Sequence, residues 1–166
     1  VSTVAFTGSL SVGRQILSVA GELRPGEKNF KKVIAELGGK NAVLVDTTAD
    51  LDEAITGVIF SAFGYAGQKC SACSRVIVPE RIYGQFLRRL SEAVQSIVTA
   101  SAENPAALTG PVIDEDARNK INEYIELGGE CGRLLFRSCG PFPQGYFVGP
   151  TVFADVDPGS PLAQEE

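Results

Sequence analysis

An α/β fold with a mainly parallel sheet is the class that this chain predicts, and three observations carry it. Short runs of apolar and β-branched residues alternate with longer stretches of helical periodicity along the 166 residues. Glycine and proline punctuate the intervals between those runs. With 44% hydrophobic and 21% charged residues the composition is that of a globular protein, enough for one ordinary core or parts of two.

The elements follow in order. Thr3-Val4-Ala5-Phe6 reads as a short buried strand ending at Thr7-Gly8-Ser9, and a helical segment with apolar Val12, Ile16, Leu17, Val19 and Ala20 follows. Residues 21–29 form a loop around the turn signal Pro25-Gly26. Strands are expected over 30–35 and 41–45, separated by Glu36-Leu37-Gly38-Gly39, a crossing too flexible for helix and the expected border between two domains.

The clearest helix runs from Asp50 to about Ala66. Asp50 caps it with Glu53 in the reciprocal position, and Leu51, Ala54, Ile55, Val58, Ile59, Ala62, Phe63 and Ala66 keep the i, i+3, i+4 rhythm. Its end at a glycine places Cys70 on a loop held by a packed element. Val76-Ile77-Val78 is the next strand. A helix from Pro79 or Glu80 to Ile97 presents Ile82, Phe86, Leu90, Val94 and Ile97. Residues 99–110 read as loop, 114–127 as a helix capped by Asp114, 133–136 and 147–153 as strands, and 140–145 as a turn-rich connection.

Charge and composition exclude several functions. The net charge of −5 offers no basic footprint for nucleic acid, and Arg88-Arg89 is too short to provide one. No apolar run reaches the ~20 residues that a membrane span needs, and no secretion signal is visible at the N-terminus. The chain contains no methionine, which together with its end at Glu166 leads us to expect a piece of a longer polypeptide. Cysteines 70, 73, 131 and 139 admit two disulfides, a zinc site or a Cys70-Cys73 redox pair. With no second close pair and no histidine, free thiols in a reducing compartment and no bound metal are the expectation.

Two motifs carry the chemistry. Cys70 lies in Gly64-Tyr65-Ala66-Gly67-Gln68-Lys69-Cys70-Ser71, among polar and glycine neighbours rather than in an apolar stripe. Most free cysteines are small buried hydrophobes, and that reading stays open here beside a nucleophile, which the polar and glycine neighbours and the adjacent Lys69 cation would suit. Glu36 lies in Glu36-Leu37-Gly38-Gly39-Lys40, where the glycines permit close approach. A lone glutamate at a strand end is ordinarily just solvated. Because the chain has no histidine, a base serving Cys70 must be a carboxylate, a lysine or a water. Gly8-Ser9-Leu10-Ser11-Val12-Gly13 opens a helix and suits a phosphate at its N-terminus, although many strand-to-helix turns look alike. Ser71 reads either as a substrate-carboxylate contact or as a local turn hydroxyl. For Arg75 a structural ion pair is expected over a role in attracting an anionic substrate.

Four landmarks in sequence order resemble the aldehyde dehydrogenase superfamily: Phe6-Thr7-Gly8-Ser9, Glu36-Leu37-Gly38-Gly39-Lys40, Gly67-Gln68-Lys69-Cys70 and the closing Gln164-Glu165-Glu166. The stretch from Ser61 to Arg75 resembles the branch that oxidises glutamate γ-semialdehyde, the open form of pyrroline-5-carboxylate, to glutamate in proline breakdown. The resemblance implies a three-layer α/β/α fold. In it, 1–37 would be the last part of a Rossmann-like NAD-binding domain, and 38–166 a catalytic domain truncated at its C-terminus.

The resemblance also implies site roles. Cys70 would be the nucleophile and Glu36 the general base that activates water for thioester hydrolysis. The Cys70 amide and an asparagine upstream of Val1 would hold the oxyanion. Gly8, Ser9, Gly13, Leu37 and Glu166 would contact NAD, and Ser71 the substrate. It further implies a small-molecule aldehyde as partner, a homo-oligomeric parent protein located in the cytoplasm (the mitochondrial matrix in a eukaryote), and no activity in the piece alone. Another aldehyde dehydrogenase, for succinate semialdehyde or general aldehydes, and a non-enzymatic thiol module are the rival readings.

Overall fold

Strand β1 (Thr3–Gly8), helix α1 (Leu10–Gly21) and strand β2 (Lys32–Leu37) form a β-α-β unit, the first of two bodies into which the chain divides, Val1–Gly39 and Lys40–Glu166. The computed structural model describes residues 1–142 and 144–166. The two strands pair in parallel from Thr3↔Lys32 to Gly8↔Leu37, as a crossover helix requires. The strand expected over 30–35 begins two residues later, where the Lys32 amide donates to the Ser2 carbonyl. Glu36 and Leu37 therefore end this strand and do not belong to the flexible crossing.

Helix α1 starts where Ser9 caps it, its hydroxyl accepting from the Val12 amide. Gly13 is buried, and a Cβ there would lie 2.7 Å from Leu37 Cδ2, so helix and strand pack closely at that point. The expected apolar face of α1 is otherwise not covered: Val12, Leu17 and Val19 are exposed, and Ala20 is buried. One helix over two strands has more apolar surface than this body can bury.

The second body holds β3 (Asn41–Leu44), α2 (Leu51–Phe63), β4 (Cys73–Ile77), α3 (Glu80–Val94), α4 (Glu115–Cys131), β5 (Arg133–Arg137), β6 (Thr151–Ala154) and α5 (Pro161–Gln164). β3 and β4 are parallel, whereas β5 and β6 run antiparallel, so the sheet structure is mainly but not wholly parallel. α2 and α3 bury the faces that their periodicity predicts. Leu51, Ile55 and Val58 meet Phe86, Leu90 and Val94 beside Val45, with Val43 and Val76 of the strands against them. Phe86 and Val94 are fully buried, and each such side chain contributes about 1.5–3 kcal/mol through removal from water.

Several boundaries differ from the periodic reading, each for a local reason. α2 stops at Phe63 because Tyr65, Ala66 and Gly67 have φ of 60°, 54° and 70°, which a right-handed helix does not accommodate. α3 stops at Val94, where Ser96 Oγ and Gln95 Nε2 donate to the carbonyls of Ala93 and Ser91. α4 continues to Cys131 through Gly128, whose missing side chain makes room for the Phe153 ring. β6 starts at Thr151 and not at Phe147, because Gly149-Pro150 precedes it and proline has no amide to donate. Of the connection 140–145, Pro143 lies outside the described residues.

Candidate active site

Cys70 is carried on a turn between α2 and β4 that is pinned from three directions. Behind it, the end of α2 is sealed: Thr109 Oγ1 donates to the Phe63 carbonyl at 3.0 Å, and the Lys69 ammonium reaches the Phe60 carbonyl at 3.4 Å. The lysine thus closes a helix end. The non-glycine residues Tyr65 and Ala66 sit in the left-handed region, at a cost of order 1–3 kcal/mol each. That strain is held in place by Gln68, whose Oε1 accepts from the Ile113 amide at 2.9 Å and whose Nε2 reaches the Tyr65 and Pro111 carbonyls.

From α2, Ser61 Oγ accepts the Cys73 amide at 3.1 Å. From β3, Asn41 Nδ2 donates to the Cys70 carbonyl at 2.6 Å and to the Ala72 carbonyl at 3.4 Å. The Cys70 side chain is exposed, whereas Cys73, three positions on, is buried and donates its thiol to the Arg75 carbonyl. Burial pushes the Cys73 thiol above its ordinary pKa, so of the two it is the poor nucleophile. All four cysteines are free.

Ser71 is exposed, and among the described residues its hydroxyl has no hydrogen-bond partner. Arg75 corrects an expectation. It makes no ion pair among the described residues, and its Nη2 donates to the Lys40 carbonyl at 2.6 Å while its buried Nε has no partner. Lys40 is half-buried, and its ammonium is pushed below the usual lysine pKa, first by burial and then by the Arg75 cation. The carboxylates of Glu166 and Glu165 act in the opposite sense.

Those two glutamates are tethered to α4: Tyr124 Oη donates to Glu165 Oε2 at 2.8 Å, and Lys120 Nζ donates to the Glu166 carbonyl at 2.9 Å. The bond to Glu165 raises the Tyr124 phenol pKa. Further upstream, Asp155 at φ 55° accepts from Tyr83 Oη at 2.7 Å and from Arg133 Nε at 2.8 Å, which fixes where the chain leaves β6 for α5.

In the first body the parallel register brings four of the candidates to one edge. Thr7 pairs with Glu36 and Gly8 with Leu37, at the C-terminal ends of β1 and β2, and the N-terminus of α1 opens beside them at Ser9. Ligands in parallel α/β sheets bind at such strand ends, and helix N-termini favour anions. Glu36 is exposed. A Cβ at Gly8 would come within 2.6 Å of the tip of the Phe6 ring, so the ring would have to shift to admit one. Gly13 lies a turn inside α1 against Leu37. The candidates therefore fall into two groups: Gly8, Ser9, Gly13, Glu36 and Leu37 in the first body, and Cys70, Ser71 and Glu166 in the second.

The model of the aldehyde dehydrogenase family matches residues 1–166. This chain belongs to that family. Over 165 residues it is 47% identical to 1-pyrroline-5-carboxylate dehydrogenase 2 of Bacillus subtilis, covering 99% of this chain and 32% of the relative. Over 163 residues it is 48% identical to 1-pyrroline-5-carboxylate dehydrogenase of Geobacillus thermodenitrificans, covering 98% and 32%. The chain thus spans about a third of the length of the curated relatives it matches.

Among solved structures it is similar to 1-pyrroline-5-carboxylate dehydrogenase from Thermus with bound NAD, with a TM-score of 0.91 and 41% identity over 100% of this chain and 32% of that one. It is also similar to proline utilization A from Bdellovibrio bacteriovorus inactivated by N-propargylglycine, with a TM-score of 0.94 and 49% identity over 99% of this chain and 17% of that one. The expected α/β class is the fold of these dehydrogenases.

Sequence reasoning missed Asn41, Ser61, Gln68, Lys120 and Tyr124 as contributors. Gln68 lies inside the Gly67-Gln68-Lys69-Cys70 motif, where the sequence gives it no role of its own. Asn41 had a usable signal, since asparagine is a poor strand residue and here it opens one. Ser61 and Tyr124 look like ordinary helix residues and carry no local signal.

Proposed function

We propose that the protein carrying this chain oxidises L-glutamate γ-semialdehyde to L-glutamate with NAD, through a covalent intermediate on Cys70. The observation that carries this reading is the exposed Cys70 thiol on a strained, triply pinned turn, beside a second cysteine that is buried. The names of relatives at 47–48% identity support the substrate.

The Cys70 thiolate adds to the aldehyde carbon, and the Cys70 backbone amide would hold the developing oxyanion, a type of donor whose loss costs about 3 kcal/mol. NAD, when bound, would accept the hydride from the C–H of the Cys70 adduct, and Cys70 would then hold the oxidised substrate as a thioester. Glu36 then takes a proton from water as the water attacks the thioester carbon, and the product carboxylate leaves as the thiolate reforms.

The cofactor fits the residues present. The strand ends carrying Gly8 and Leu37 stand at the mouth of α1, whose first amides suit a pyrophosphate, with Ser9 and Gly13 in the same helix start. Glu166, steadied through Glu165 and Lys120, suits the nicotinamide ribose. In this reading 1–37 are the last part of the cofactor domain and 38–166 belong to the catalytic domain. Ser71, whose hydroxyl has no hydrogen-bond partner among the described residues, suits the carboxylate of the substrate.

Turnover of the complete protein on a panel of aldehydes tests the proposal. We expect the highest kcat/KM for glutamate γ-semialdehyde, and an equal or higher value for succinate semialdehyde or an aliphatic aldehyde overturns the substrate. No helix of the described residues is long and apolar enough to cross a membrane. We further infer a homo-oligomeric working form for the complete protein, which sedimentation tests.

A further inference from the structure

We infer that Asn41 is a positioning residue for the nucleophile, acting through the Cys70 carbonyl to set the plane of the Cys70–Ser71 peptide; the inference rests on the reading of Cys70 as the nucleophile. Asn41 Nδ2 donates to the Cys70 carbonyl at 2.6 Å, the shorter of its two bonds, and reaches the Ala72 carbonyl at 3.4 Å. One amide group therefore ties two carbonyls of the turn to the start of β3.

A trans peptide is planar, so its N–H points opposite to its C=O. With the Cys70 carbonyl drawn toward Asn41, the Ser71 amide is turned to the other side of the turn. Holding that plane also limits rotation about the Cys70 Cα–C bond, and with it the direction that the Cys70 side chain takes relative to the peptide. No backbone or side-chain acceptor takes the Ser71 amide among the described residues, so it is available to a substrate oxygen.

Asn41 is itself held. Its carbonyl accepts from Ser74 Oγ at 3.3 Å, and its Cα pairs with Cys73 in the β3–β4 ladder at a register shift before Ala42. The shift falls directly after the Asn41–Cys73 pair, and at this irregular end of the ladder the Asn41 side chain reaches back over the turn. A closed loop of contacts results: Ser74 holds Asn41, and Asn41 holds Cys70, four positions before Ser74. Neither Gln68 nor Ser61 duplicates it, because both act on the flanks of the turn and not on the Cys70–Ser71 peptide.

Asn41→Asp in the complete protein keeps the shape, removes the donor and sets a carboxylate against the Cys70 carbonyl. We expect kcat, and the rate of Cys70 alkylation by iodoacetamide read by peptide mapping, each to fall about tenfold, the factor that 1.4 kcal/mol of lost positioning gives. KM for NAD stays within about twofold, since the cofactor contacts are elsewhere. Ser74→Ala removes only the brace and shows the same pattern at smaller size, which carries the test where the Asp variant is not recovered folded. Wild-type kcat and alkylation in a folded variant overturn the inference, as does a loss confined to KM for NAD. A dead Cys70→Ala beside a fully active Asn41→Asp overturns the role of Asn41 alone. Retained oxidation in Cys70→Ala overturns the function reading itself.

Discussion

Each of the two bodies holds its own group of candidate residues, and the two groups are built in opposite ways. In the first, Gly8, Ser9, Glu36 and Leu37 meet because a β-α-β unit aligns the ends of β1 and β2, so register alone assembles them. In the second, Cys70 lies on a turn with backbone angles that the chain does not favour. Contacts from Asn41, Ser61 and Gln68 to that turn, the farthest reaching Pro111 and Ile113, hold it in place. An edge of candidate binding residues can be assembled by regular structure, whereas a strained loop that carries an exposed thiol needs tertiary clamps to stay in one conformation.

The sharpest way to break this contrast is to remove the thiol. Cys70→Ala in the complete protein is expected to lower kcat for aldehyde oxidation by at least about 10⁴-fold, while Cys73→Ala keeps activity within severalfold. Comparable losses in both variants would mean that the turn does not single out one sulfur. At the other body, Glu36→Gln is expected to leave a rapid burst of NADH and to slow steady turnover by about 10²–10⁴-fold, because only thioester hydrolysis needs the base. A missing burst with intact NAD binding assigns Glu36 to an earlier step.

The clamps act only if the core beneath them is rigid. Phe86→Ala, at a position buried against α2, is expected to destabilise the complete protein by about 3–5 kcal/mol in urea unfolding. A smaller loss would mean that the core collapses to fill the space.

The mildest effect concerns pH. The folded Cys73 pKa lies above its unfolded value, so its thiolate forms in the native state only at higher pH than in the unfolded chain. The stability this provides is complete below the unfolded pKa and is lost as pH rises toward the folded one. Near pH 8, iodoacetamide is expected to label Cys70 at least about tenfold faster than Cys73, and the gap to close in denaturant. Equal rates in the native protein would contradict the burial of Cys73.

Much of the fold was legible in the sequence because periodicity and caps are local. The faces of α2 and α3, the caps Asp50 and Asp114, and the order of strands and helices stand where the pattern puts them. The misplaced boundaries were those decided by partners. Gly128 extends α4 because the Phe153 ring lies over it, and Gly149-Pro150 delays β6. The exposed side of α1 shows the limit of periodicity, which marks an apolar face without saying whether this chain covers it.

By itself the sequence determined the class of fold, the family, and the residue types on which the chemistry depends, because motif and period are properties of neighbouring residues. Only the tertiary structure decided that Cys70 is exposed while Cys73 is buried, that Arg75 serves a backbone carbonyl and not a carboxylate, and that Asn41 holds the Cys70 carbonyl. Burial and hydrogen-bond partnership depend on which distant segments meet, and spacing along a chain does not encode which side chain arrives first.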